Sequence, residues 1–320
     1  MLMTFDDASK KITGGELLHI AGTEALLRRL PKGNWVGGST EYFMSRDGGK
    51  VSNELLFVTA FPYSDFAIGS YDTDTIRNVA VDAFDNGFSI VVVPFDCDLH
   101  RVYAEKAPGF ESMFIKNIAG WIAGMNLGVP GQTPISVNGQ TGEAHTDRAA
   151  VLHIGVPEDK AVTIGVINIF SQDEESPVIE FTDEGFSATK CLINSEERVF
   201  ADYINENGID TKLPLVGDYS GNGVNISFKS IESGVVHFYA PVFRGIKYRI
   251  AKPISDYAGD LNSHLADFRD TDAVFSCNCI LNFLYGELEG KSIERFRGPI
   301  TFGEIAYQLV NQTLVYVSVL

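Results

Sequence analysis

Asp96-Cys97-Asp98-Leu99-His100 sets two carboxylates, a thiol and an imidazole directly after the apolar run Ile90-Val91-Val92-Val93. In an extended segment alternate side chains project to one side. Asp96, Asp98 and His100 could then converge on a divalent cation through hard oxygens and one imidazole. Polar residues just beyond the carboxyl end of a strand are where α/β sheets hold ligands. The chemistry of such a triple is that of a metal-dependent hydrolase or phosphatase; the plainer alternative is a solvated strand exit whose acids cap turns.

Cys277-Asn278-Cys279 puts two thiols on one side of an apolar strand. Structural zinc needs two more soft ligands at supporting spacing, and the other cysteines, Cys97 and Cys191, do not supply them. A buried strand of small residues, open to close approach by a backbone or a ligand, is the simpler expectation. Gly217-Asp218-Tyr219-Ser220-Gly221-Asn222-Gly223 could cradle a phosphate, but it lacks the Lys-Ser/Thr pair and the helix start of a P-loop. It reads as a turn between strands. Gly37-Gly38-Ser39-Thr40 carries the same ambiguity. No Gly-x-Ser-x-Gly elbow supports serine catalysis. His145 and Asp147 could act as an acid/base pair in a central loop, whereas His153 and His237 fall in apolar runs and read as core residues.

The elements that must position these residues are an alternation of helices and strands. Leu55 to Phe61, Ile90 to Val93 and Val151 to Phe170 read as strands, the first two buried on both faces. Thr23 to Leu30, Asp74 to Phe84, Glu111 to Met125 and Ser195 to Asn205 read as helices, stopped where they meet Pro31, Asn86-Gly87 or the glycine-rich passage Gly128 to Gly142. This is an α/β (α+β) pattern with mixed sheets flanked by helices. At 320 residues the chain exceeds one comfortable core. Two lobes are expected, over residues 1–145 and 146–320. Val36-Gly37 with Ala60, and Val216-Gly217 with Ala240, share one offset, an echo that suggests duplication with a ligand between copies.

A net charge of −17 opposes binding to nucleic acid or to an anionic membrane surface. No apolar run approaches the ~20 residues of a membrane span. The start, Met1-Leu2-Met3-Thr4-Phe5-Asp6-Asp7, lacks the basic region of a signal peptide, so a cytoplasmic chain with reduced thiols is expected.

Phe302-Gly303-Glu304-Ile305 and Asn311-Gln312-Thr313-Leu314 follow the Cys-Asn-Cys strand. Together these residues resemble the end of FIST proteins, a family of sensory and signal-transduction domains. In that family an apolar strand closes on a small-Cys-Asn segment, a Tyr/Phe-Gly-Glu-Ile turn follows, and the last strand begins near Asn-x-Thr. Gly38-Ser39-Thr40 is similar to a segment near the start of the family's N-terminal region. Leu213-Pro214-Leu215-Val216-Gly217-Asp218 looks like its Pro-hydrophobic-Gly-Gly segment, with Asp218 in place of the second glycine.

The resemblance implies a cytoplasmic input domain that binds a small molecule, amino acids among them, and signals to a partner protein. Haem, bound by some members, would need an axial ligand such as His100 or His237; otherwise no cofactor is expected. The implied pocket combines Gly38, Ser39 and Thr40 with Gly217, Asp218, Cys277, Asn278 and Glu304. Asn278 would offer a donor and an acceptor, and Glu304 an anionic acceptor for an amine. A ligand-free scaffold is the remaining class.

Overall fold

Unbroken or alternating apolar runs dominate the chain, and they fold mostly as strands: 42% of residues are strand and 16% helix. The computed structural model describes residues 1–219, 221–265, 272–293 and 295–320. The fold is mixed α/β, with five sheets and few helices.

Three six-stranded sheets carry the architecture, and each contains one parallel pair. In the first, Leu17–Gly22 runs parallel to Trp35–Ser39. In the second, Gly87–Pro94 runs parallel to Asn117–Ala123. In the third, Ala273–Cys279 runs parallel to Gly298–Thr301. The other pairings in these sheets are antiparallel.

The carboxyl ends of the parallel pairs are stitched together. Ile122 N donates to Gly303 O at 2.8 Å, Gly124 N to Ser39 O at 2.7 Å, and Phe302 N to Ile122 O at 3.0 Å. Where the sheets face each other, Val36, Phe57, Phe88, Val92, Trp121, Phe275 and Val315 form a continuous buried layer. His19 is wholly buried in this layer and accepts from Trp121 Nε1 at 2.8 Å. Burial pulls its pKa down to about 3, so it is a neutral core residue. Helix Phe5–Thr13 closes the outer face of the first sheet by burying Ala8 and Ile12. Thr4 caps it by accepting from Asp7 N.

Two antiparallel sheets built from residues 179–250 pack against these three, with Ile179, Phe200 and Phe238 in one buried cluster with Val91, Leu99 and Ile122. The expected boundary at 145/146 does not separate the sheets. Ala149–Gly155 pairs with Gly87–Pro94, Gly298–Thr301 with Tyr42–Ser45, and Glu304–Ala306 with Asn117–Ala123. The C-terminal strands thus complete sheets begun by the N-terminal ones. The sequence echo does not extend to topology either. Trp35–Ser39 has a parallel neighbour, whereas Leu215–Tyr219 is antiparallel to both of its neighbours.

Strands Leu56–Phe61 and Gly87–Pro94 lie where the apolar runs place them. Two expected helices differ. Residues 74–84 hold only the short 3-10 turn Ile76–Asn78, and residues 111–125 contain the strand Asn117–Ala123. A strand buried on both faces has no amphipathic period to separate it from a buried helix. Ser195 to Asn205 divides into strand Glu196–Val199 and helix Phe200–Glu206. No described helix is long and apolar enough to cross a membrane.

Candidate functional site

Glycines 37 and 38 let the strand Trp35–Ser39 sit between close neighbours. A Cβ on Gly37 would lie 2.1 Å from Ile20 O, and one on Gly38 would lie 2.5 Å from Val92 Cγ1 and 3.1 Å from the Trp121 ring. Gly38 is therefore a packing residue between sheets, and the residues after it emerge at the strand ends. There Ser39, Thr40 and Glu41 line a cleft of about 320 Å³ together with Thr23, Glu24, Asn53, Gln132 and Thr133. This volume falls in the ~300–1,000 Å³ range of small-molecule pockets. The cleft lies beyond the carboxyl ends of Leu17–Gly22, Trp35–Ser39 and Asn117–Ala123, where α/β sheets hold ligands.

The two hydroxyls are committed to the framework. Ser39 Oγ donates to Gly124 O at 2.7 Å and accepts from Ile135 N at 2.9 Å. Thr40 Oγ1 donates to Ile300 O at 2.8 Å and accepts from Tyr42 N at 3.2 Å. They form the floor of the cleft. Of its two acids, Glu24 pairs with Arg28 at 2.7 Å, whereas Glu41 is only 6% exposed. Asn126 Nδ2 donates to Glu41 Oε2 at 2.8 Å and Gln132 Nε2 to Oε1 at 3.2 Å. Among the described residues no Lys, Arg or His forms an ion pair with it. A buried carboxylate held by two neutral donors and no cation favours a cationic partner from outside.

Asn278 and Glu304 lie beneath this floor: Ile300, which holds Thr40, is the register partner of Asn278. They face the interior. Asn278 Oδ1 accepts from Cys279 N at 2.8 Å and from Asn282 Nδ2 at 2.9 Å. Glu304 is fully buried and is hydrogen-bonded by the Thr301 and Thr313 hydroxyls at 2.9 and 2.8 Å and by Thr313 N at 3.3 Å. Burial outweighs those bonds and pushes its pKa up to about 8, so near neutral pH it is largely protonated. Glu304 therefore does not stand as the anion expected of it, and the buried acid that lines the cleft is Glu41. Cys277 and Cys279 are also buried, which pushes both thiols well above their ordinary pKa and keeps them protonated.

Asn278→Ala removes the shorter of two hydrogen bonds made by Cys279 N–H and by the Asn282 amide, each of which keeps Thr313 O as acceptor at 3.2 and 3.3 Å. Loss of two buried hydrogen bonds is expected to lower stability by about 1–3 kcal/mol in urea denaturation. A loss below ~1 kcal/mol would contradict the structural role assigned to it.

Gly217 and Asp218 are not brought to the cleft. They border a separate surface hollow with Phe170, Gln172 and Gly223, and Asp218 Oδ1 accepts from Gly221 N at 2.7 Å as a turn cap. The extended geometry expected for Asp96, Asp98 and His100 fails because helix Asp98–Lys106 begins inside the segment. Asp98 points outward, its side chain 86% exposed and 3.5 Å from Arg101. No group of three His, Cys, Asp or Glu that could hold a metal occurs among the described residues. The cavity between His100 and His237 measures about 90 Å³, too small for haem. His145 lies 3.8 Å from Glu143 and not in the cleft.

Glu41, Asn126 and Gln132 escaped the sequence reading. The signal for Glu41 was its place directly after Gly-Gly-Ser-Thr at a strand exit. Asn126 and Gln132 carry no local signal, because a long-range fold brings them to Glu41. Comparison with curated proteins and with solved structures gave no match. The profile of a family of unknown function, DUF6976, matches residues 3–320, and the chain belongs to that family.

Proposed function

We propose that the protein binds a small polar molecule carrying an ammonium group in the cleft above Glu41, and that it acts as a ligand-sensing protein. The observation that carries this reading is the Glu41 carboxylate, desolvated, held by two amides and unpaired with any described cation. An ammonium seated against it gains a charge-assisted hydrogen bond in a poorly solvated setting. Thr23, Asn53 and Thr133 add hydroxyl and amide groups that suit a polar body on the same ligand. An amino acid has both features, in line with the ligand class that the resemblance to FIST domains implies. That resemblance also supplies the second half of the reading, transmission of the bound state to a partner protein.

Calorimetric titration with amino acids and simple amines tests the site. Glu41→Gln keeps shape and removes charge. It is expected to weaken binding by roughly 10- to 100-fold, the worth of one hydrogen bond to a charged group. Equal affinity in the variant would remove Glu41 from the site. The absence of any response to amines would favour the ligand-free scaffold.

A further inference from the structure

His100 is one of several places where a buried polar atom has no partner among the described residues, His19 Nδ1 and Asn278 Nδ2 being others. It is 5% exposed, and Asp96 N donates to its Nδ1 at 3.4 Å. The ring proton therefore sits on Nε2, which is buried and has no hydrogen-bond partner among the described residues. An N–H donor left unpaired inside a protein is costly unless something outside the chain accepts from it.

His100 lines the small cavity between helix Asp98–Lys106 and the strands Phe228–Glu232 and Val235–Val242. The cavity's volume of about 90 Å³ is several times the ~10–15 Å³ that admits one water. Its charged walls are Lys229, Arg101 and Asp96. Lys229 Nζ lies 3.8 Å from the Asp96 carboxylate and 5.4 Å from the centre of the Phe95 ring. The amino terminus of the helix, which carries partial positive charge, opens toward the same place. His237, Cys97 and Tyr239 are the other titratable side chains on its walls. Lys229 faces Asp96 at 3.8 Å and Arg101 faces Asp98 at 3.5 Å, so the two cations here are matched by two carboxylates in a chain of net charge −17.

We infer that this cavity is a binding site for a small anion with oxygen acceptors, a carboxylate or an inorganic oxyanion, held by His100 Nε2–H and the Lys229 ammonium. Its size admits a group of a few heavy atoms. Phe95 and Phe186, with ring centres 5.4 and 5.8 Å from that of His100, wall it with apolar surface. Low dielectric there strengthens the two polar contacts. Burial pulls the pKa of His100 down to about 4, so the imidazole donates a hydrogen bond without carrying charge near neutral pH. The site is separate from the Glu41 cleft and does not rest on the function proposed for it.

The test is a titration of 15N-histidine-labelled full-length protein with sodium formate, acetate, sulfate or phosphate. Sodium chloride at matched ionic strength is the control, and the His100 Nε2–H resonance is followed by NMR. At least one oxygen anion is expected to move that resonance saturably where chloride does not. Lys229→Met, a change at a partly exposed position, is expected to weaken the effect by ~10-fold or more. Saturation by formate or acetate alone assigns the site to carboxylates; saturation by sulfate or phosphate assigns it to tetrahedral oxyanions. The inference is overturned if no oxygen anion differs from chloride, or if Lys229→Met titrates like the native chain.

Discussion

Relative to the native chain, Glu304→Gln is expected to gain stability steadily as pH rises from about 4.5 to about 8, and then to hold that advantage. The cause is burial of a carboxyl group with no cation beside it. Desolvation raises its folded pKa to about 8 from an ordinary 4.5, against the smaller opposing pull of bonds from Thr313 and Thr301. Below about 4.5 the group is protonated in both folded and unfolded chains and costs nothing. Between the two values the folded chain keeps a proton that the unfolded chain has released, so native stability from this residue drains away as pH rises. Above about 8 both states are ionised and the loss is complete. Over this window the loss is on the order of several kcal/mol.

Glutamine suits the site because it imitates the protonated acid. Thr301 Oγ1 lies 3.2 Å from Asn278 O as well as 2.9 Å from Glu304 Oε1. Its hydroxyl can donate to Asn278 while accepting from a protonated Oε1 or from a glutamine amide. The other oxygen still receives the Thr313 hydroxyl and N–H. Burial lowers the pKa of His19, His100 and His153, which gives an opposite slope below about pH 6.5. Those residues are common to both proteins and cancel in the difference. Urea denaturation of the two proteins at half-unit steps of pH measures it; parallel curves would refute the buried, raised carboxyl.

Gly37→Ala is expected to cost about 3 kcal/mol or more, the upper range for overpacking a close-packed core. The added Cβ would stand 2.1 Å from Ile20 O and 3.1 Å from Ile20 C, on the strand paired in parallel with its own. Backbone cannot rotate aside as a side chain does. The two strands must part, and Ser39 and Thr40 move with them, so the cleft is disturbed along with the sheet. Gly15 gives the contrast at the surface: nothing lies within 4 Å of a Cβ there, although its φ of +81° adds strain of its own. Chemical denaturation and amine titration of Gly37→Ala read the two effects separately. A stability loss under ~1 kcal/mol would show that the parallel pair is looser than its contacts imply.

Local chemistry settled part of this protein before any fold was known. The short apolar runs at residues 56–61 and 90–93 were legible as strands, and the alternation of strand and helix signals pointed to a mixed α/β class. Gly37-Gly38-Ser39-Thr40 was ambiguous as a sequence and expected at a pocket edge only through the resemblance to FIST N-terminal regions; in the fold Ser39 and Thr40 line the cleft. The strand Asn117–Ala123 was not legible as a strand, since two-sided burial erases the period that distinguishes it from a helix. Nor was the helix that begins at Asp98, which turns Asp98 away from His100 and dissolves the expected triple.

The largest decisions were made by pairings between distant residues. Glu304 was expected as an anionic acceptor in a pocket, and only the strands from residues 117–123 and 308–310 that pair on either side of it enclose it and raise its pKa. Glu41 became a candidate ligand because Asn126 and Gln132 arrive from 85 and 91 residues away. The residue types fix which groups can ionise or hydrogen-bond. The tertiary structure decides which of them lose water and which partners replace it, because desolvation depends on the surface that covers a group and not on its neighbours in the chain.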